Sequence, residues 1–200
     1  EGKLNIKAAD GTVTFNDAIN GVKGYEINIA GTEAGKVNFN NDVENAGKVN
    51  INGAQVRLNT DNRMNGAEIA LNGGALHLDN DMISNKASFK SLSGGNGVLH
   101  IDVDEANRNA DLVTVENLHG TVNVIGHNIT VEQARAIPQV GTNEKAQTTD
   151  AAGDQIKFAE VATPGDGSFN VLRVENSAYE WNTVSSENQD GSTDWLMAIK

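Results

Sequence analysis

Apolar and polar residues alternate along most of this 200-residue chain. Alternation at period two marks a strand, because successive side chains of extended backbone point to opposite faces. The clearest stretch, Val49 to Asp81, reads as two copies of one line. Val49 matches Ile69, Ile51 matches Leu71, Gly53 matches Gly73, Val56 matches Leu76 and Leu58 matches Leu78, each pair twenty residues apart. Each copy holds two short alternating runs with a turn between them. A unit of about twenty residues cannot bury its own apolar side chains, so it must stack on copies of itself.

Two strand families continue the pattern. One is Leu4-Ile6, Ile27-Ile29, Val49-Ile51, Ile69-Leu71 and Phe89-Leu92; the other is Val13-Phe15, Val37-Phe39, Val56-Leu58, Leu76-Leu78 and Leu99-Val103. Leu112-Val115 and Val122-Val124 extend them. The spacing drifts between about 19 and 24 residues, as insertions in loops would make it. These residues predict an all-β fold: a right-handed parallel β-helix of about six turns over residues 1–125. At about 4.8 Å per turn that rod is about 30 Å long. Asn52 and Asn72 precede glycines at equivalent positions. A ladder of stacked Asn side chains and plain turn residues both account for them.

The last third reads differently. Thr130 and Gln133 fit a capping box ended by Pro138, and a helical turn or a further strand is compatible with that stretch. Residues 141–155 are polar and aperiodic, which predicts a loop. Strands return at Ile156-Ala159, Phe169-Val174, Tyr179-Val184 and Asp194-Ile199, with a hairpin turn at Asn188-Gln189-Asp190-Gly191. Both Trp residues lie here. The expectation is an antiparallel, hairpin or sandwich-like unit over residues 126–200 that caps the rod. A β-helix end otherwise exposes unpaired strand edges.

Composition narrows the function. Hydrophobic residues make up 38% and aromatics 4%, enough for the thin aliphatic column of a solenoid. There is no Cys, so neither a disulfide framework nor a Cys-based metal site is available. The net charge is −12, and Lys and Arg are scattered singly. That disfavours nucleic acid and anionic membrane surfaces as partners. No apolar run approaches the roughly 20 residues of a membrane-spanning helix. The chain opens within a repeat, at Leu4-Asn5-Ile6, which reads as a piece of a longer protein.

Candidate chemistry is sparse. Gly94-Gly95-Asn96-Gly97 resembles the start of a calcium-binding nonapeptide, but Leu99 stands where Asp is needed. The acidic clusters at Asp79-Asn80-Asp81 and Asp102-Val103-Asp104-Glu105 offer oxygen ligands for a hard cation, and read better as solvated turn residues. His77, His100, His119 and His127 lack zinc-motif spacing. His77 and His100 fall in one strand family, where they could neighbour each other across one coil; outward-facing strand positions explain them better than a metal site. No serine-hydrolase or phosphate-loop signature is present. The expectation is therefore no cofactor, no metal and no catalytic residue.

One region resembles a known family. Ser91-Leu92-Ser93-Gly94-Gly95-Asn96-Gly97-Val98-Leu99 is similar to the opening of the C-terminal passenger region of Gram-negative autotransporters. Asp111-Leu112-Val113-Thr114-Val115 and Gly120-Thr121-Val122-Asn123-Val124 resemble the strands that follow it. Ala178-Tyr179-Glu180-Trp181 and Asp194-Trp195-Leu196 resemble the closing motifs. Ser177-Ala178 replaces the usual Gly, and Leu196 the usual Tyr. The resemblance implies that residues 91–200 are an autochaperone, or junction, region with Leu92, Gly94, Gly97, Asp111, Tyr179, Trp181, Trp195 and Leu196 as its structural residues. It implies a non-enzymatic stem, at the cell surface or secreted, of an adhesin, toxin or self-associating protein. The implied partners are its own outer-membrane β-barrel translocator and a host surface or another copy. The alternative is a carbohydrate-active enzyme, a polysaccharide lyase or tailspike-like glycosidase, since parallel β-helices serve those too. Such enzymes need grouped acids and usually an aromatic-lined groove, and the rod portion carries one Tyr, Tyr25, and no Trp. An ice-binding array is disfavoured because Thr12-Val13-Thr14 is not repeated.

Overall fold

A computed structural model of the chain describes residues 2–60, 64–83, 86–129 and 154–200. Their regular structure is all strand. In chain order come β1 (Lys3–Ala9), β2 (Thr12–Phe15), β3 (Ile19–Gly31), β4 (Lys36–Phe39), β5 (Val43–Asn52), β6 (Gln55–Leu58), β7 (Glu68–Asn72) and β8 (Ala75–His77). They continue as β9 (Lys86–Ser93), β10 (Val98–Asp104), β11 (Asn109–Ala110), β12 (Leu112–His119), β13 (Thr121–Asn128), β14 (Gln155–Thr163), β15 (Ser168–Glu175), β16 (Trp181–Glu187) and β17 (Thr193–Ile199).

The strands form two sheets. One has the order β1-β3-β5-β7-β9-β12-β14-β17-β16; the other runs β15-β13-β10-β8-β6-β4-β2, with β11 attached to β10. Each coil contributes one strand to each sheet and pairs in parallel with the coils before and after it. This is a parallel β-solenoid. The twenty-residue repeat sets its register: Val49 lies opposite Ile69, Ile51 opposite Leu71, and Val56 opposite Leu76. Gly53 and Gly73 occupy equivalent corners, with φ of 78° and 72°.

The core is a set of columns rather than a ball. Ile6, Ile29, Ile51 and Leu71 stack in one sheet, and Val37, Val56, Leu76, Leu99 and Val124 in the other. All nine are buried. Phe15 and Phe39 stack their rings at 5.2 Å in the same manner.

Polar residues stack as well. Asn72 Nδ2 donates to Asn52 Oδ1 at 3.1 Å, so the ladder reading of that pair holds. Further ladders run Asn50 to Asn28 to Asn5 (2.8 and 3.1 Å) and Asn59 to Asn40 to Asn16 (2.9 and 3.0 Å). An amide carries both a donor and an acceptor, so one Asn satisfies the next coil after coil.

The C-terminal end departs in part from expectation. β14 and β15 do not pair antiparallel with each other but lie in different sheets. They are a further coil of the solenoid, β14 parallel to β12 and β15 parallel to β13. Alternation alone cannot distinguish a hairpin from a solenoid corner, and the spacing here is stretched: Asn170 lies 47 residues after its ladder partner Asn123. The antiparallel part is β17, which pairs with β14, and β16, which pairs with β17. Their turn is the one read at Asn188–Gly191. The capping box at Thr130 and Gln133 and the stop at Pro138 lie outside the described residues. So does the loop 141–155, apart from Asp154 and Gln155.

Leu76 sits mid-column between Val56 and Leu99 with no exposed surface. Leu76→Ala should lower stability by about 2–5 kcal/mol, the usual cost of a buried Leu-to-Ala cavity. Leu172→Ala, at a side chain 47% exposed, should change little. Guanidinium unfolding of the two variants checks the contrast.

Candidate functional site

The residues singled out by the resemblance fall into two groups. Leu92 is fully buried between Ile69 of one coil and Leu118 of the next. Gly94 and Gly97 lie where the β9–β10 corner presses on its neighbours. A Cβ on Gly94 would stand 1.8 Å from the carbonyl oxygen of Thr121, and one on Gly97 would stand 2.4 Å from Leu71 Cβ. Only glycine lets the backbones approach so closely. Asp111 is fully buried; its Oδ2 accepts the Asp102 amide at 2.9 Å, while its own amide donates to Asp102 O at 3.0 Å. It ties the start of β12 back to β10, across the short excursion that holds β11.

The second group forms the end of the rod. Trp195 meets Phe169 edge-to-face at 5.7 Å, and Phe169 meets Phe158 at 5.5 Å. Leu196 is buried opposite Val184. Trp181 is buried at the far end of the hairpin, donates from Nε1 to Ser177 Oγ at 3.0 Å and packs against Tyr179, which stays half exposed. Thr183 Oγ1 of β16 accepts the Val171 amide of β15 at 2.7 Å. The hairpin thus extends one sheet and reaches across to the last strand of the other. The two groups fix coil-to-coil packing and the closure of the end.

A dense polar arrangement lies elsewhere, on the outer face of the β6–β8–β10–β13 sheet. Arg57, His77 and His100 occupy successive register positions. The His77 and His100 rings stack at 3.9 Å and 14°. His100 Nδ1 lies 2.8 Å from His127 Nε2. His77 Nε2 donates to Gln55 Oε1 at 2.8 Å, which turns Nδ1 toward Asp79 Oδ1 at 3.3 Å. Arg57 approaches Asp79 Oδ2 at 3.4 Å and donates to its carbonyl. His127 Nε2 stands 4.0 Å from Asp79 Oδ2. His119, the fourth histidine, belongs to the other sheet and faces Asp166 at 3.7 Å.

Placing His77 beside His100 was legible from the sequence. The joining of His127, Asp79, Arg57 and Gln55 was not, because His127 arrives 27 residues after His100 rather than one repeat. The acidic clusters are solvated turns only in part: Asp81 is exposed at φ 63°, whereas the second cluster is buried. Asp102 is fully buried and accepts the amides of Asn80 (2.7 Å) and Asp81 (3.2 Å).

Burial shapes the ionisation. Desolvation, with the neighbouring His77 and His127 charges, pushes His100 down to about 3, and His127 is lowered mainly by burial. Burial would raise Asp79, but the hydrogen bond from His77 and the charges of Arg57 and His127 outweigh it and hold the carboxyl at about 2. Burial raises Asp102 to about 7 despite its two amide donors.

A lateral groove of about 610 Å³ runs along the other sheet, lined by Ser88, Lys90, Thr114, Glu116, Glu160 and Asp190 among others. Its carboxylates are of the type a sugar-cleaving site uses, but its lining contains no Trp or Tyr.

Two outcomes follow. Gly94→Ala should cost about 3 kcal/mol, the upper end of overpacking, because the obstructing atom is backbone. Gly165→Ala, whose nearest outside atom would be 3.7 Å away, should be close to neutral in the same denaturation assay. The second concerns pH. His100 takes its proton near 6.5 when unfolded but only near 3 when folded. Its contribution to stability is full above pH 6.5 and is lost as pH falls toward 3. His100→Gln should flatten that part of the stability–pH curve, read as guanidinium midpoints between pH 8 and pH 4.

No protein-family model matches the chain, and no curated protein matches it in sequence.

Proposed function

We propose that the chain is the C-terminal part of a secreted autotransporter passenger: a β-solenoid stem whose closing region nucleates folding as the protein emerges at the surface of a Gram-negative bacterium. On this reading its partners are its own outer-membrane β-barrel translocator and, for the whole passenger, a host-cell surface or another copy. The work of the stem is to project an adhesin, toxin or self-associating region from the cell.

One observation carries the reading. The parallel stack ends in an antiparallel hairpin that holds both Trp residues, pairs with β14 and reaches over to β15. In a solenoid each coil contacts only its neighbours, so folding can begin at one end and propagate. The first coil is the slow step, since a long loop must close before any contact repays it. A hairpin with a five-residue-wide gap between its strands needs only local contacts, and the Phe158–Phe169–Trp195 cluster gives it apolar surface to dock on. A chain leaving a narrow pore would then add coils onto that end in turn.

The motif glycines support the same reading. Gly94 and Gly97 let the β9–β10 corner nest between coils, so the first stacking steps onto the nucleus go without steric obstruction.

Guanidinium unfolding followed by Trp fluorescence and far-UV circular dichroism on one sample tests this. Trp181 and Trp195 both sit in the hairpin, so fluorescence reports that end. The expected result is that circular dichroism falls first while the Trp signal persists to higher denaturant. Coincident transitions would make the chain one cooperative unit and the hairpin an ordinary end. Deletion of residues 176–200 should slow or abolish refolding of the remaining coils; unchanged refolding rates would overturn the proposal.

A further inference from the structure

The histidine cluster on the outer sheet face has no part in the folding role proposed above, and a stem does not need it. Its donor set is specific. Three imidazoles and one carboxylate come from positions spread along fifty residues of sequence, yet they converge at one place. Ligand atoms of His77, Asp79 and His100 lie within 4.8 Å of one another. His77 Nδ1 is 3.3 Å from Asp79 Oδ1, Asp79 Oδ2 is 4.0 Å from His127 Nε2, and His127 Nε2 is 2.8 Å from His100 Nδ1. Donor atoms about 2.0–2.1 Å from a tetrahedral ion stand roughly 3.3 Å apart. Donor atoms of His77, Asp79 and His100 thus lie within reach of one coordination shell, and His127 Nε2 borders it.

The surroundings match as well. A metal-bound imidazole usually donates its second N–H to a carbonyl or carboxylate, which fixes the tautomer. His77 does this: Nε2 donates to Gln55 Oε1 and Nδ1 faces Asp79. The backbone is held in place, since His77 lies on β8, His100 on β10 and His127 on β13, consecutive strands locked by their ladders. A groove of about 370 Å³ lined by Lys36, Asn38, Gln55, Arg57 and His77 opens beside His77.

We propose that His77, Asp79, His100 and His127 form a binding site for a divalent first-row transition-metal ion of the zinc, nickel or copper class. Imidazole-rich donors select such ions, whereas calcium takes six to eight oxygens. Binding requires two adjustments. The stacked His77 and His100 rings rotate about χ2, a soft torsion. Arg57, which neutralises Asp79 and is about one-third exposed, moves aside as the ion takes over its role. The bound ion then joins three consecutive coils through their side chains.

The test uses the full chain, stripped with a chelator and titrated with Zn²⁺ under isothermal calorimetry. It is paired with long-range ¹H–¹⁵N correlation of the histidine side chains. The expected result is saturation at one ion per chain, with shifts at His77, His100 and His127 and none at His119. His77→Gln and His100→Gln should each weaken binding by about tenfold or more. Gln55→Leu should weaken it too, by loss of orientation, and Arg57→Gln should tighten it. Absence of saturable binding, shifts led by His119, or unchanged affinity in folded His77→Gln and His100→Gln chains would overturn the proposal. If a histidine variant fails to fold, the wild-type shifts decide alone.

Discussion

The whole structure depends on parallel pairing of each coil with the next in register. Once backbone ladders fix that register, every side chain faces its counterpart one coil away, at about the 4.8 Å spacing of neighbouring strands. Apolar residues then form continuous columns such as Val37–Val56–Leu76–Leu99–Val124. Groups that are both donor and acceptor are satisfied by repetition, which explains why Asn recurs at so many ladder positions. Groups of one charge are not, because repetition places like beside like. The Arg57–His77–His100 column departs from simple repetition, and there compensating groups gather: Asp79 for Arg57, Gln55 for His77, His127 for His100.

The same constraint accounts for the buried acids. The excursion from Glu105 to Ala110 interrupts the smooth corner between β10 and β12, and β11 pairs back on β10. Backbone amides of the neighbouring β10 strand and of the corner after β8 are met by carboxylates: Asp111 takes the Asp102 amide, and Asp102 takes those of Asn80 and Asp81. A carboxylate out of water is costly, and the rise of Asp102 to about 7 expresses that cost. Its contribution has the opposite sign to that of His100. It is full below the unfolded value of 3.8 and declines as pH rises toward 7.

Most of the fold was legible in the sequence, because the repeat and the alternation encode register directly. The pairing of Val49 with Ile69 and Val56 with Leu76 was read residue by residue. The placement of β14 and β15 was not, since a long interval separates them from their partners and period-two alternation is blind to which neighbour a strand chooses. The motif positions at Leu92, Gly94 and Gly97 were visible, but their steric reason, a neighbouring coil's carbonyl or side chain in van der Waals contact, appears only in three dimensions. The histidine cluster was half visible. Two of its members share a strand family, while Asp79 enters from a corner and His127 from a coil lengthened by the β11 excursion.

The direction of the ladders also governs how the rod bears load. Strands lie across the axis, so their hydrogen bonds run along it. Tension between the two ends therefore opens the pairs of one coil in sequence rather than shearing many at once. Such a rod gives way coil by coil, over a long extension instead of snapping. The hairpin of β16 and β17 is pulled through β14 on one sheet and held to β15 by Thr183 on the other. Traction on the C-terminal end is thereby shared between both sheets before any single coil peels away.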